Sequence, residues 1–315
     1  MRVVFFGSGE FAVPSLRWLV NSPHEVVRVV TQPDRPAGRG KKLVSTPVAA
    51  QAEAEGLAVE RCDDVNQPAF VEGLAGLGAD IGVVIAFGQK IREPLRAVFP
   101  SSCVNLHASL LPKYRGAAPI PWAILSGEKL TGVSVFRLVD RMDAGPVLVT
   151  RQTAIGPSET CEELEYRLAR VGCDAIDATM RLHEKEPLPA GEPQDESQAT
   201  RAPKLSKADG YIQFEEPAER IVLRVRAMWS WPGARCRYVS ATGRSEEVTI
   251  ASATAVPVAV QDPPGTITPV LTAATGQGTL EIQSIQPAGK RVMGWQEFVN
   301  GRHVQAGDRF EGLSG

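Results

Sequence analysis

The sequence is poor in the residues that build disulfide frameworks and metal centres. Its five cysteines are odd in number and widely scattered, with no Cys-x-x-Cys pair, and its four histidines include no His-x-x-x-His pair. We therefore expect no disulfide scaffold and no bound metal ion. The Gly-x-Ser-x-Gly turn of serine hydrolases is also missing. Cys103 adjoins an apolar strand, where a small buried side chain is the expected role.

Long apolar runs are missing as well. No stretch approaches the roughly 20 apolar residues that a membrane-spanning helix needs. The first residues, MRVVFFGSGEF, are too short an apolar run for a secretion signal and fit a first buried strand better. We therefore expect a cytoplasmic protein without a membrane partner. A monomer is the expectation for the oligomeric state, which no motif fixes.

Neither sign of charge dominates, since 34 Lys and Arg residues face 36 Asp and Glu residues. A net charge of −2 cannot attract nucleic acid through the overall field of the molecule. One local basic patch is present in DRPAGRGKK, and its basic residues are Arg35, Arg39, Lys41 and Lys42. A solvated loop and a nucleic-acid contact both fit this composition, and composition alone favours the loop.

What the sequence does contain is a regular alternation of strands and helices over its first 185 residues. Apolar runs predict buried strands at 3–7, 25–31, 79–87 and 102–108, and an alternating run predicts a half-buried strand at 131–139. Helical patterns fall between these runs, and the longest, at 158–184, has Ser158 as its expected N-cap. This order predicts an α/β fold with a mostly parallel sheet covered on both faces.

The pattern changes after residue 185. Residues 186–205 are rich in Pro, Glu and Gln and predict a linker between a first domain at 1–185 and a second at 206–315. The second domain has a helical stretch, short strand-like runs separated by Pro and Gly turns, and a last helix that Gly301 is expected to end. This pattern predicts a small β-barrel.

The Gly-x-Gly of GSGEF follows the first predicted strand, where a dinucleotide-binding loop would lie. The third glycine of that fingerprint is missing, and no acidic residue ends the second strand. A tight turn without a nucleotide is the favoured interpretation, and a nicotinamide dehydrogenase is the alternative.

Two polar residues, Asn105 and His107, end a buried strand two positions apart. Residues i and i+2 of a strand share one face, and ligands of open α/β sheets bind at the carboxyl ends of the strands. An Asn amide and a protonated imidazole together can hold an oxyanion. Asp140 or Asp143, after the next strand, could stabilise the imidazolium and accept a proton. A packed, structural histidine remains an equal alternative from these residues alone.

Four segments together resemble the methionyl-tRNA formyltransferase family: FFGSGEFAVPSL, TQPDRPAGRGKKL, VNLHASLLPKYRGAAPI and the DAG of VDRMDAGPVL. KLSKADGYIQF and QPAGKRVM extend the resemblance to most of the chain. It implies a Rossmann-like formyltransferase domain followed by an OB-like β-barrel. It also implies transfer of a formyl group from 10-formyltetrahydrofolate to the α-amine of methionyl initiator tRNA.

The resemblance implies roles for single residues. Its catalytic Asn-x-His falls on Asn105 and His107, and its catalytic Asp falls on Asp143 rather than Asp140. The folate-contacting segment falls on Ser109, Leu110, Leu111 and Pro112, and we expect Phe87 and Gly88 to line the same pocket. The loop arginine that contacts the tRNA acceptor end falls on Arg39, and we expect tRNA contacts from Lys41 and Lys42 as well.

The second domain must bind tRNA through local clusters if it binds tRNA at all. Residues 206–315 hold 11 basic and 11 acidic side chains, so they have no net charge to attract RNA. The candidate clusters are Lys290 with Arg291, and Arg220 with Arg224 and Arg226. Such residues contact phosphates and position the RNA without reading its bases.

The chain departs from the family pattern in places. Ala108 replaces a Gly after the catalytic His, Arg141 replaces a Gly before Asp143, and Arg201 replaces a linker Tyr. None of these changes removes a catalytic group, but with Arg141 in place of Gly the family pattern no longer fixes the backbone conformation before Asp143. Two alternatives also stay open. One is a formyltransferase or hydrolase that uses the same donor and acts on a sugar-nucleotide or ribonucleotide amine, and the other is a non-catalytic tRNA-binding module.

Overall fold

The computed structural model describes residues 1–37, 42–183, 188–258 and 261–313. They form two compact units. Unit 1 comprises Met1–Pro119, Leu130–Ala154 and Glu165–Ala202, and unit 2 comprises Ile120–Lys129, Ile155–Leu164 and Pro203–Gly315. Two short segments before residue 165 therefore belong with the C-terminal part. The predicted domain limits at 185 and 206 stay a prediction.

The first 183 residues alternate strands and helices, as the sequence predicts. In chain order the elements are β1 (Arg2–Gly7), α1 (Val13–Val20), β2 (Glu25–Thr31), β3 (Arg35–Ala37), β4 (Lys42–Val44), α2 (Pro47–Ala54), β5 (Val59–Arg61), α3 (Pro68–Ala75), β6 (Ile81–Ile85), α4 (Glu93–Arg96), β7 (Cys103–His107), α5 (Pro119–Leu125), β8 (Leu130–Arg137), β9 (Val147–Ala154) and α6 (Cys161–His183).

Unit 1 is built on a seven-stranded sheet in its described ranges, in the order β5-β2-β1-β6-β7-β8-β9. The strands from β5 to β7 pair in parallel, and β8 and β9 add on antiparallel. The central strands β1 and β6 are buried almost throughout, because helices cover both faces of a parallel sheet. The predicted α/β fold with a mostly parallel sheet is confirmed.

The start of α6 differs from the prediction. The helix begins at Cys161, and Thr160 rather than Ser158 caps it. The Thr160 hydroxyl accepts from the Glu163 backbone N–H at 3.3 Å, while the Glu163 carboxylate accepts from the Thr160 N–H at 2.9 Å. This reciprocal pair satisfies two backbone donors that the helix leaves unpaired. The prediction of Ser158 was wrong because both hydroxyl residues precede the helical pattern and sequence spacing does not separate them.

Unit 2 contains the remaining elements, in chain order α7 (Ala218–Met228), β10 (Ala234–Val239), β11 (Ser245–Val256), β12 (Ala273–Ala274), β13 (Thr279–Pro287), β14 (Met293–Gly294), α8 (Trp295–Arg302) and β15 (Arg309–Glu311). Its described strands form one antiparallel sheet in the order β12-β13-β11-β10-β15, with β14 on β13. Phe214 stacks on Phe310 in the core that this nearly closed sheet encloses. The barrel-like second domain is confirmed.

The end of α8 also differs from the prediction. Gly301 lies inside the helix, which ends at Arg302. The first residue after the helix, His303, takes the left-handed conformation with φ +55°. His303 therefore occupies the C-cap, where glycine is the usual residue. Separately, none of the described helices is both long enough and apolar enough to cross a bilayer.

Candidate active site

The site lies at the carboxyl end of β7, which contains Asn105 and His107. Asn105 pairs with Val84 of β6 on one side and Phe136 of β8 on the other, so the strand is held in the interior of the sheet. Because side chains alternate along a strand, Asn105 and His107 project from the same face. Asn105 is half-buried and His107 is 7% exposed.

His107 is held between a backbone carbonyl and a carboxylate. Its Nε2 lies 2.9 Å from the carbonyl oxygen of Tyr114. A carbonyl oxygen only accepts, so Nε2 carries the hydrogen and donates it. The other nitrogen, Nδ1, lies 3.8 Å from Oδ2 of Asp143, with the two side chains 8% and 15% exposed. This separation is too long for a hydrogen bond but is within ion-pair distance when the imidazole is protonated.

Asp143 is fixed by the turn that follows residues 109–112. Its Oδ2 accepts a hydrogen bond from the backbone N–H of Gly116 at 2.8 Å. Its own backbone is left-handed, with φ +50°. Aspartate tolerates this conformation better than most residues, but it still costs free energy and must be held in place.

Asp140, the other candidate from the sequence, lies in a different environment. It pairs with Arg96 at 2.9 Å, and its side chain is 76% exposed. The hydrogen bond and charge of Arg96 lower the pKa of the Asp140 carboxyl. Of the two aspartates, the structure thus brings Asp143 beside His107 and pairs Asp140 with an arginine. Arg141 between them forms an exposed ion pair with Glu196 at 2.8 Å.

Three residues of this site were missed by the sequence reasoning: Arg115, Gln194 and Glu196. The Gln194 amide donates to the carbonyls of Asp143 and Gly145 at 2.8 and 2.7 Å. Arg115 is 8% exposed and contacts both Gln194 and Glu196. The sequence assigns Gln194 and Glu196 to a linker, because a segment rich in Pro, Glu and Gln has no period that indicates packing.

Gly116 is required where this turn approaches the segment after residue 194. Its φ is +129°, and a Cβ atom there would lie 2.4 Å from the carbonyl oxygen of Ala202. No residue with a Cβ atom fits here without moving the backbone at Gly116 or at Ala202. The backbone N–H of Gly116 donates to Asp143.

Residues 109–112, which are predicted to contact folate, form a compact loop after β7. Ser109 is fully buried, and its hydroxyl donates to the carbonyl of Lys113 at 2.7 Å. Ser134 of β8 donates to the Ser109 carbonyl and accepts from the Leu111 N–H. Leu110 packs over Gly132 of the same strand. Leu110, Leu111 and Pro112 are not fully buried, and their contact with folate stays a prediction.

Phe87 and Gly88 lie just after the end of β6, the strand that pairs with β7. The Phe87 ring packs edge-on against Phe6, and the residue is 2% exposed. Its carbonyl accepts from Ser8 Oγ at 3.1 Å and from Gln32 Nε2 at 2.9 Å. Their place in the folate pocket stays a prediction.

The Gly-x-Gly turn is filled by the protein itself. The backbone N–H groups of Ser8 and Gly9 both point at the carbonyl oxygen of Ala86, at 3.2 Å each. In dinucleotide-binding folds, the amides at this position hold the phosphates. The arrangement supports the tight turn that the sequence favours over a nicotinamide site.

The residues predicted to bind tRNA are only partly described. Arg39 and Lys41 lie outside the described residues. Lys42 is exposed at the start of β4 and pairs with Ala37 across the β3–β4 hairpin. Lys290 and Arg291 are exposed in unit 2, where Arg291 pairs with Glu297 at 2.6 Å. Their contact with tRNA stays a prediction.

The three arginines of α7 contact other parts of unit 2. Arg220 donates to the carbonyl of Leu125, and Arg224 forms an ion pair with Glu216. Arg226 donates to the carbonyls of Gly156 and Glu159. Their guanidinium groups are therefore used within the unit. Across the part of the chain that the structure describes, no group of three or more His, Cys, Asp or Glu side chains is placed to hold a metal ion.

Comparison with known proteins agrees with this architecture. Residues 1–179 match the formyl transferase family, and residues 204–303 match the formyl transferase C-terminal domain. A methionyl-tRNA formyltransferase of Solibacter usitatus is 40% identical over 311 residues, covering 98% of each chain. One of Methylococcus capsulatus is 42% identical over 312 residues, covering 98% of this chain and 99% of the relative.

A solved structure shows the same fold at low identity. It is the N-formyltransferase from Helicobacter canadensis in complex with folinic acid and dTDP-3-aminofucose. The TM-score is 0.65 at 15% identity, and the match covers 90% of this chain and 98% of that one. At this identity the match establishes the fold alone.

Proposed function

This chain belongs to the methionyl-tRNA formyltransferase family, and we propose that Asn105, His107 and Asp143 are the residues that perform the family's reaction in it. The reaction transfers a formyl group to the amino group of methionyl initiator tRNA. One observation carries the assignment of the residues. His107 Nδ1 and Asp143 Oδ2 lie 3.8 Å apart at the end of a buried strand, although the residues are far apart in sequence.

The proposed formyl donor is 10-formyltetrahydrofolate. A fold relative is solved with folinic acid, which supports a folate in this fold. The loop from Ser109 to Pro112 and the backbone at Phe87 and Gly88 flank the carboxyl ends of β7 and β6, where open α/β sheets bind ligands. Arg39, Lys41, Lys42, Lys290 and Arg291 are the proposed tRNA contacts. We also propose that the protein is a monomer of the cytoplasm.

The chemistry begins when the free amine attacks the formyl carbon. The new C–N bond turns the formyl oxygen into an oxyanion, and the Asn105 amide donates a hydrogen bond to it. The Nε2–H of His107 already donates to the carbonyl of Tyr114, so His107 donates to the oxyanion through a protonated Nδ1. Asp143 balances that charge and accepts the amine proton, directly or through water. Collapse of the intermediate breaks the bond to the folate nitrogen, which takes up a proton as tetrahydrofolate leaves.

Substitution of the three residues tests this assignment. We expect Asn105→Ala, His107→Ala and Asp143→Asn each to lower kcat by about 100- to 1000-fold, because each removes a group that acts in the transition state. The measurement is transfer of labelled formyl to charged initiator tRNA, with circular dichroism to verify the fold. Asp140→Asn is the matched control and should stay within about twofold of wild type. A folded variant at the first three positions with wild-type kcat would remove that residue from the scheme.

The alternative acceptors are less well supported. The N-formyltransferase solved with an amino-sugar nucleotide is 15% identical, whereas the methionyl-tRNA formyltransferases are about 40% identical over both domains. A non-catalytic tRNA-binding module would not need the approach of His107 to Asp143, which the structure retains.

A further inference from the structure

Two residues of one turn, Tyr114 and Gly116, each contact one of the two catalytic side chains. The carbonyl of Tyr114 accepts from His107 at 2.9 Å, and the N–H of Gly116 donates to Asp143 at 2.8 Å. The relative position of the imidazole and the carboxylate therefore depends on the backbone of residues 114–116. Any shift of this turn would move the contacts to both groups together.

The turn is held by the segment Gln194–Ala202. The N–H of Arg115 donates to the carbonyl of Thr200 at 2.9 Å, and the carbonyl of Arg115 accepts from the N–H of Ala202 at 2.7 Å. The N–H of Tyr114 donates to the Thr200 hydroxyl at 2.8 Å. These bonds form a short parallel bridge between two loops of unit 1. A segment of linker composition thus supports the turn that contacts His107 and Asp143.

Gln194 connects this segment to the backbone of Asp143. Its amide nitrogen donates to the carbonyls of Asp143 and Gly145, at 2.8 and 2.7 Å, and so holds the chain on both sides of Ala144. Its amide oxygen accepts from Nε and Nη2 of Arg115 at 3.0 and 2.7 Å. All the polar atoms of the Gln194 side chain are therefore engaged, and its orientation is fixed.

Arg115 is fixed in turn by Glu196. Its two terminal nitrogens each lie 3.0 Å from one oxygen of that carboxylate, which is the bidentate geometry that arginine favours. The left-handed backbone of Asp143 is a strained conformation that persists only when its surroundings hold it. The amide of Gln194 holds the carbonyl of this residue at 2.8 Å.

We propose that Gln194, oriented by Arg115, is a positioning residue for formyl transfer: it touches no substrate but sets where the Asp143 carboxylate stands relative to His107. This inference rests on the catalytic roles proposed above. The segment Gln194–Ala202 then contributes to turnover and does not only connect the two domains.

Two substitutions of Gln194 test the proposal, with one matched control. Gln194→Ala removes the whole amide, whereas Gln194→Glu keeps the shape and the oxygen that faces Arg115 but removes the N–H donors. We expect both to lower kcat by about 10- to 100-fold, because a small displacement of a reacting group is that costly, with the folate KM within about twofold. The control is Gln198→Ala, in the same segment, whose amide contacts only Asp195 among the bonds of the described residues.

The measurements are kcat and folate KM in formyl transfer to charged initiator tRNA, together with circular dichroism. Asp143→Asn is assayed in parallel. If Gln194→Glu keeps kcat within about twofold while Asp143→Asn loses it, the positioning role is overturned and the catalytic scheme stands. If Asp143→Asn itself keeps kcat, the catalytic scheme fails. A raised folate KM at unchanged kcat, or loss of the fold in both Gln194 variants, would also overturn the positioning role.

Discussion

Cys103 and Cys62 have the same side chain but different surroundings. Cys103 lies on β7 two residues before Asn105 and is fully buried, whereas Cys62 is half-buried. Burial raises the pKa of Cys103 to about 12, against a smaller lowering by the charge of Arg96. The Cys103 thiol therefore stays protonated near neutral pH, and it is out of reach of solvent.

We expect Cys103 to resist alkylation in the folded protein. At pH 8 it should react with iodoacetamide at least roughly tenfold more slowly than Cys62, because the thiolate is the reactive form and the side chain is covered. Both should react at similar rates in urea. Mass spectrometry of the labelled peptides gives the two rates. Equal labelling of the native protein at both positions would show that β7 opens and that the site is less rigid than the structure indicates.

The contrast between predictable and unpredictable residues has a physical basis. Asn105 and His107 are predictable because two positions on one strand share a face, whatever the rest of the chain does. Asp143 is predictable only through family resemblance, since Asp140 fits the spacing equally well. Gln194 is not predictable, because it acts on a carbonyl 51 residues away. Contacts between distant loops leave no period in the sequence.

At the level of elements, α6 gives the clearest test. Thr160→Ala removes the hydroxyl that accepts from the Glu163 N–H, so we expect a loss of about 1 kcal/mol in the free energy of unfolding. Ser158→Ala, two residues earlier, is the control and should cost far less. Urea denaturation followed by circular dichroism measures both. A larger loss at Ser158 than at Thr160 would contradict the observed helix start.

Elements are predictable where the pattern is strong and less so at their ends. The second predicted strand, 25–31, has the bounds observed for β2, because its apolar run is flanked by polar residues on both sides. The limits of α6 and α8 were missed because several residues near each end can cap a helix. His303 takes the position expected for Gly301, which only the three-dimensional path of the chain decides.

For the whole molecule, the distribution of charge decides how tRNA can be bound. The net charge is −2, and the arginines of α7 contact carbonyls and a carboxylate within unit 2. Attraction of RNA therefore depends on a few local positive groups. Residues 39–42 are the strongest such group in the sequence, since three of the four, Arg39, Lys41 and Lys42, are basic.

We expect Arg39→Ala to raise the KM for tRNA by about tenfold or more and to leave the folate KM within about twofold. The salt dependence of tRNA binding should also become shallower by about one phosphate contact. Arg35→Ala is the matched control, because Arg35 already donates to Gln32 at 2.5 Å. Steady-state kinetics at several salt concentrations separates the effects. An equal rise in both KM values would mean that Arg39 supports the folate pocket.

The contact of Gly116 with Asp143 has a consequence for any mutational library of this protein. The two residues are 27 positions apart, and a survey by sequence distance would treat them as independent. A side chain at Gly116 would collide with Ala202 and displace the amide that holds the carboxylate. Randomising residues 114–116 to change the accepted amine must therefore leave Gly116 unchanged, since variants there would be scored as failures of specificity when the cause is a displaced Asp143 carboxylate.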